Sequence, residues 1–101
     1  MPLSAARRRQ LRARAHGLKP VVMVGGAGVS EAVLAETDRA LEHHELIKVR
    51  LPAADRDARS ELARTLCEKL GAQEVQAIGR VTVLYREKPA VEPQAKTRSQ
   101  R

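Results

Sequence analysis

The sequence predicts one α/β domain with the element order αβαβαββ, in which three helices pack on a mixed four-stranded sheet. Three observations predict this fold. Apolar runs alternate with segments of helical spacing, capping residues stand at the starts of those segments, and only two residues separate the last two runs. With 101 residues, 43% of them apolar, the chain can form one modest core. The core must be aliphatic, because Tyr85 is the single aromatic residue.

The first helix is predicted over residues 4–17. Ser4 is a good N-cap residue, and Gly17 can end the helix. Leu11, Ala15 and Leu18 repeat at helical spacing and form one narrow apolar stripe. Cations stand on both flanks of this stripe, Arg8 and Arg12 on one and Arg7 and Arg14 on the other. The helix can therefore pack through the stripe and still present positive charge.

Residues 20–24 are a nearly unbroken β-branched run, which favours a strand buried on both faces. The glycine-rich segment Gly25-Gly26-Ala27-Gly28 follows directly. Ser30 then begins a second helix as its N-cap, Glu31 places an acid in the first turn, and the helix runs to about His44.

Residues 46–51 alternate apolar and basic side chains, which predicts a half-buried strand. A third helix is expected from about Asp55 or Asp57 to Leu70, and Gly71 stands where a left-handed terminating residue belongs.

Two further strands, 75–78 and 81–85, flank Gly79-Arg80, where glycine suits the first position of a type II′ turn. Strands joined by helices favour parallel pairing through right-handed crossovers, whereas the final hairpin is antiparallel. We expect the domain to span residues 1–86 and residues 87–101 to form a disordered basic tail.

The net charge of +7 predicts a polyanionic partner, although charge alone also keeps a basic chain soluble. Residues 1–24 hold six cations and no acid, so the excess lies near the first helix and its flanking turn. Cys67 has no partner for an internal disulfide, which favours a reducing compartment. No run resembles a signal peptide or a membrane span. We expect a cytoplasmic protein that makes no membrane contact.

The segment Gly25-Gly26-Ala27-Gly28 has the physical properties of a phosphate site. Glycines let a ligand approach the backbone closely, and the first amides of a helix lack partners and favour anions. The spacing does not fit the P-loop pattern or the dinucleotide-binding pattern. A short G-x-x-G turn is what KH-type RNA binders use to hold backbone nucleotides. The alternative is a plain strand-to-helix turn.

Two stretches together resemble the bacterial YhbY-type CRM domain. They are LKPVVMVGGAGVSEAVLAETDRALEHHELIKVRL, which contains the glycine segment, and GAQEVQAIGRVTVLYR near the C-terminus. The resemblance covers about residues 3–88. It implies a KH-like fold that binds RNA without catalysis, and bacterial stand-alone members look like factors associated with precursors of the large ribosomal subunit.

The family's loop role carries over to Gly25, Gly26, Ala27 and Gly28. Because Gly26 and Ala27 are neutral where KH-type loops often have a cation, neighbouring residues must neutralise the phosphates. The expected RNA-binding residues outside the loop are Lys19, Arg8, Arg12 and Ser30. The roles of Arg8 and Arg12 require the first helix to pack beside the loop.

We expect no enzyme activity, no cofactor and no metal, because no catalytic set stands out and the adjacent His43 and His44 point apart on a helix. A monomer is the expected state. Two other functions stay open: a protein-interaction adaptor on ribosome precursors, through the sheet or the acidic second helix, and a nonspecific nucleic-acid binder.

Overall fold

The computed structural model describes residues 3–52 and 55–88, which contain three helices and four strands in the predicted order. The elements are α1 (Ala5–Ala15), β1 (Pro20–Met23), α2 (Glu31–His44), β2 (Leu46–Arg50), α3 (Arg56–Leu70), β3 (Gln73–Ile78) and β4 (Val81–Tyr85).

Each helix begins at a side chain that caps its first turn, as the sequence predicts. Ser4 Oγ accepts the amide of Arg7, and Asp55 Oδ1 accepts the amide of Ala58. At the other end of α3, Gly71 has the left-handed conformation, with φ of 66°. The α1 helix is shorter than expected, since it ends at Ala15 and not at residue 17.

The four strands form one mixed sheet in the order β1-β2-β4-β3. The α2 crossover makes β1 and β2 parallel, and β4 then pairs antiparallel with both β2 and β3. The turn at Gly79-Arg80 has a positive φ at Gly79, 55°, and not at Arg80, which is the type II′ pattern. The predicted mixed four-stranded sheet is confirmed.

The helices divide between the two faces of the sheet. On one face, α2 and α3 cover a core that includes Val22, Ile47, Val49 and Leu84. On the other face, α1 places the buried side chains of Leu11 and Ala15 on a smaller core, formed with Leu46, Val75, Val83 and Tyr85. Since α1 is short, it covers only part of its face.

The prediction that the first strand is buried on both faces is wrong. β1 lies at the edge of the sheet, and of its four residues only Val22 is buried. Val21 and Met23 are 48% and 66% exposed, because they point to the face of α1 and that helix packs mainly on β2 and β3. The apolar run gives the strand its β propensity but does not determine its neighbours.

The end of β4 is tied to both α2 and α3 through Arg86. Its Nη1 donates to Asp38 Oδ1 at 2.8 Å and to the carbonyl oxygen of Leu70 at 2.9 Å. The amide of Lys88 donates to Glu45 Oε2 at 3.0 Å.

Most of the tail expected over residues 87–101 lies outside the described residues. None of the helices in residues 3–52 and 55–88 has the length and apolar composition of a membrane-spanning segment.

Candidate nucleic-acid interface

The glycine segment forms a tight turn between β1 and α2. The amide of Gly28 donates to the carbonyl oxygen of Gly25 at 3.0 Å, which closes the turn. Gly28 has a φ of +83°, a conformation that residues with a Cβ adopt only at a cost. A Cβ at Gly28 would lie 3.8 Å from Leu62 Cδ2, so this end of the turn rests against α3.

The fold explains Gly28 but not the two glycines that begin the turn. Gly25 and Gly26 have no positive φ, and a Cβ at either position would meet no described atom within 4 Å. Both residues and Ala27 are exposed. Within the described residues, the amides of Gly26 and Ala27 donate to no acceptor. Because Gly25 and Gly26 have no side chains, their backbone is directly accessible at the surface. The packing of the fold does not require glycine at either position.

The turn leads into the N-terminus of α2, where Ser30 is the N-cap. Its Oγ accepts the amide of Val33 at 3.1 Å, and its carbonyl oxygen accepts the amide of Leu34 at 2.9 Å. The hydroxyl of Ser30 is thus occupied by the cap. The first amides of α2 add the positive end of a helix dipole to the loop, while Glu31 adds a negative charge beside it.

The cations nearest to the loop along the sheet are on β2 and in the β3–β4 turn. Arg50 is the register partner of Met23, two residues before the loop, and its carbonyl oxygen accepts the amide of Val24 at 2.8 Å. The carbonyl oxygen of Arg80 accepts the amide of Leu51. Arg50 and Arg80 are exposed. The carboxyl ends of parallel strands meet at one edge of a sheet, so the end of β2 lies beside the loop.

The hypothesis that the first helix packs beside the loop is wrong. The α1 helix contacts β2 and β3, and Arg8 Nη1 donates to the carbonyl oxygens of Glu74 and Val75 on β3 at 2.8 and 3.3 Å. β3 and β1 are opposite edges of the sheet, three strand spacings or about 14 Å apart. Arg8 is therefore held at the edge farthest from the loop.

Lys19 and Arg12 are also away from the loop. Lys19 directly precedes β1 and lies six positions before Gly25, which is about 20 Å of extended chain. It lines a surface depression with Arg14, Leu18 and His44, among others. Arg12 lines a different one near Lys48 and Ile78. Of the residues expected to bind RNA, the structure brings together Gly25, Gly26, Ala27, Gly28 and Ser30. It does not bring Lys19, Arg8 or Arg12 to them.

Two other reactive side chains have packing roles. Arg7 lies over the Tyr85 ring, 5.4 Å from its centroid, and Nη2 donates to the hydroxyl at 3.1 Å, so this buried ring offers no free face on that side. Burial, and then the negative charges of Glu74 and Glu68, raise the pKa of the Cys67 thiol to about 11. In the described residues, no three His, Cys, Asp or Glu side chains are grouped to hold a metal ion.

Comparison with known proteins identifies the family. Residues 3–86 match the CRS1 / YhbY (CRM) domain. The chain belongs to the CRM domain family. A Haemophilus influenzae protein named "RNA-binding protein" is 46% identical over 84 residues, which are 83% of this chain and 85% of that protein. A Pseudomonas aeruginosa protein named a probable RNA-binding protein is 44% identical over 89 residues, 88% of this chain and 86% of that protein. These CRM relatives are named for binding and not for catalysis.

A solved CRM-type fold agrees with the architecture. The solution structure of a Staphylococcus aureus protein, described as a candidate RNA-binding protein, superposes with a TM-score of 0.78 at 37% sequence identity. The match covers 88% of this chain and 93% of that one. The YhbY-type resemblance and the fold class predicted from the sequence are both confirmed.

Proposed function

We propose that this CRM-domain protein binds RNA, and that the loop Gly25–Gly28 holds the sugar-phosphate backbone. The observation that carries the proposal is the bare surface at Gly25 and Gly26, which neither packing nor backbone conformation requires. Exposed amides at Gly26 and Ala27, next to the N-terminus of α2, offer donors to a phosphate oxygen. The names of the relatives support RNA as the ligand.

In this proposal the positive charge that compensates the phosphates comes from β2 and the β3–β4 turn, at the edge of the sheet where the loop lies. Arg50 and Arg80 take the role that the sequence suggested for Arg8, Arg12 and Lys19. Ser30 contributes indirectly, because its hydroxyl caps the first turn of α2 and so fixes the orientation of the first amides of that helix toward the loop. Lys19 and Arg12 stay candidates for contacts with a longer RNA, at sites separate from the loop.

The biological setting that we propose is cytoplasmic assembly of the large ribosomal subunit, with precursor ribosomal RNA as the partner of a monomer. This rests on the resemblance to YhbY-type proteins. The protein-interaction alternative would use the exposed acids of α2, of which Glu31, Glu36 and Glu42 point to solvent.

Sedimentation of cell extract with the tagged protein tests the proposed function. The protein should migrate with particles of the large subunit and its precursors, and should leave that fraction after ribonuclease treatment or at high salt. Backbone contacts release counterions, so the affinity for single-stranded RNA should fall by a log-log slope of about −0.7 per phosphate neutralised. A flat salt response, or binding to particle proteins that survives ribonuclease, would favour the adaptor instead.

A further inference from the structure

Among residues 3–52 and 55–88, no helix covers the loop end of the sheet face that carries α1. At the loop end of that face, one residue from each strand stands in register: Met23 pairs with Arg50, Arg50 with Val81, and Val81 with Ile78. We call these four residues the uncovered row. Met23 and Ile78 are 66% and 52% exposed, Arg50 is exposed, and Val81 is half-buried. Two large apolar side chains thus stand in solvent on either side of an arginine.

The uncovered row is continuous with the proposed phosphate loop. Met23 precedes Gly25 by two residues, and toward the other end of the row Arg80 lies in the turn that joins Ile78 to Val81. Neighbouring strands are about 4.8 Å apart, so the row extends about 14 Å from the loop edge across the sheet. A single-stranded RNA whose sugar-phosphate backbone is held at the loop can therefore extend along the row.

The charged side chains in the row and between the row and α1 are basic. Arg50 lies in the row, and Lys48 and Arg12 border it on the side of α1. In the four strands the one acid is Glu74, and its carboxylate is turned toward the α3 side of the sheet, where Thr82 Oγ1 donates to it at 2.6 Å. The face therefore suits an anionic ligand that also has apolar surface.

We infer that the uncovered row binds unpaired bases of the RNA strand whose backbone is held at the loop, an inference that rests on the proposed function. Bases stack on guanidinium planes as well as on aromatic rings, and a methionine sulfur makes favourable contacts with aromatic rings. Arg50 and Met23 supply these two groups in a chain that has no exposed aromatic platform. A stable protein interface needs about 800 Å² from each partner, which a row of four side chains does not provide.

The test uses fluorescence anisotropy with a single-stranded RNA of about twelve nucleotides and with the same RNA annealed to its complement. The row variant is Met23→Ser plus Ile78→Ser, which removes exposed apolar surface and no charge. The control is Leu18→Ser, which removes an exposed apolar side chain from the segment before β1, beyond the end of that strand that is opposite the row. Circular dichroism establishes that both variants fold.

The row variant should bind the single strand about tenfold more weakly than wild type, as expected for the loss of base contacts. Its salt slope and its affinity for the duplex should not change, because its phosphate contacts remain and paired bases are not presented. The control should bind both RNAs as wild type does.

Three outcomes would overturn the inference. One is wild-type affinity of the row variant for the single strand. Another is an equal loss for single strand and duplex. The third is a wild-type dimer, seen by analytical ultracentrifugation, that the row variant abolishes. In each case a loop variant, Gly26→Asp plus Ala27→Asp, that loses RNA affinity would keep the proposed function intact. Wild-type affinity of that loop variant would instead remove the proposed function and this inference with it.

Discussion

Met23 and Arg50 stand side by side at the ends of two parallel strands, so the loop that begins at Gly25 starts next to a cation. This pairing follows from the crossover through α2, which makes β1 and β2 parallel and brings their carboxyl ends to one edge. It assigns the charge near the loop to the sheet and not to the basic helix.

Arg50→Gln should weaken RNA binding and reduce the log-log salt slope by about 0.7, the contribution of one phosphate. Arg8→Gln is the matched comparison, because it removes the same charge from the opposite edge of the sheet. It should instead lower the free energy of unfolding by about 1–2 kcal/mol, since Arg8 bonds two carbonyl oxygens of β3. Salt titrations and urea unfolding of both variants measure this. If Arg8→Gln reduces the salt slope and Arg50→Gln does not, the phosphate contacts are made by α1 and not by the sheet.

Ser30 separates helix capping from RNA contact. Ser30→Ala should cost about 1 kcal/mol of stability, because the amide of Val33 loses its acceptor. Ser30→Asp should keep the cap, since aspartate is an equally good N-cap residue, yet it places a negative charge beside the proposed phosphate site. We therefore expect near wild-type thermal unfolding and weaker RNA binding. Unchanged RNA affinity of the folded Ser30→Asp protein would place the phosphates elsewhere.

The glycines of the loop should differ in their tolerance of a methyl group. Gly28→Ala forces a residue with a Cβ into a φ of +83° and should cost about 1–2 kcal/mol. Gly25→Ala should cost nothing and can add up to about 1 kcal/mol, since its φ is not positive and a Cβ there meets open space. Urea unfolding of the two variants checks the difference. Equal destabilisation would show that Gly25 also has a conformational role.

Cys67 should react slowly with iodoacetamide in the folded protein. Its thiol pKa of about 11 leaves little thiolate at neutral pH. The alkylation rate should rise about tenfold per pH unit between about pH 8 and 10, with no plateau in that range. In the urea-unfolded chain the rate should level off above the ordinary thiol pKa of about 8.5. A plateau near pH 9 in the folded protein would contradict the assigned environment of this side chain.

The local signals in the sequence predicted the order of the elements correctly and placed a glycine-rich turn between β1 and α2. Ser4, Ser30 and Gly71 act through residues within one turn, so their roles can be inferred from neighbours in the chain. The side of the sheet on which α1 docks depends on packing against strands distant in sequence. For that reason the contact between Arg8 and β3 could not be predicted.

The exposure of β1 was missed for a related reason. An aliphatic run predicts a strand, but its place at the edge depends on the strand order of the sheet, and the exposure of its α1 face depends on how far α1 extends over it. The proximity of Arg50 to the loop, in contrast, can be predicted from the sequence. Its strand follows the α2 crossover, and the rule for carboxyl ends of parallel strands places Arg50 near Gly25.

The central claim is that Gly25–Gly28 holds phosphates, and the most direct measurement is RNA affinity after a carboxylate is placed in the loop. Ala27→Asp and the double variant Gly26→Asp plus Ala27→Asp put carboxylates at exposed positions with no core contact. Ala6→Asp is the control, with the same charge change as Ala27→Asp at an exposed position in α1, near the opposite end of the sheet. If the loop binds phosphate, Ala27→Asp loses affinity, the double variant loses most of it, and folded Ala6→Asp stays close to wild type. If the folded double variant binds RNA no more weakly than Ala6→Asp, the loop is only a turn between β1 and α2, and the central claim is wrong.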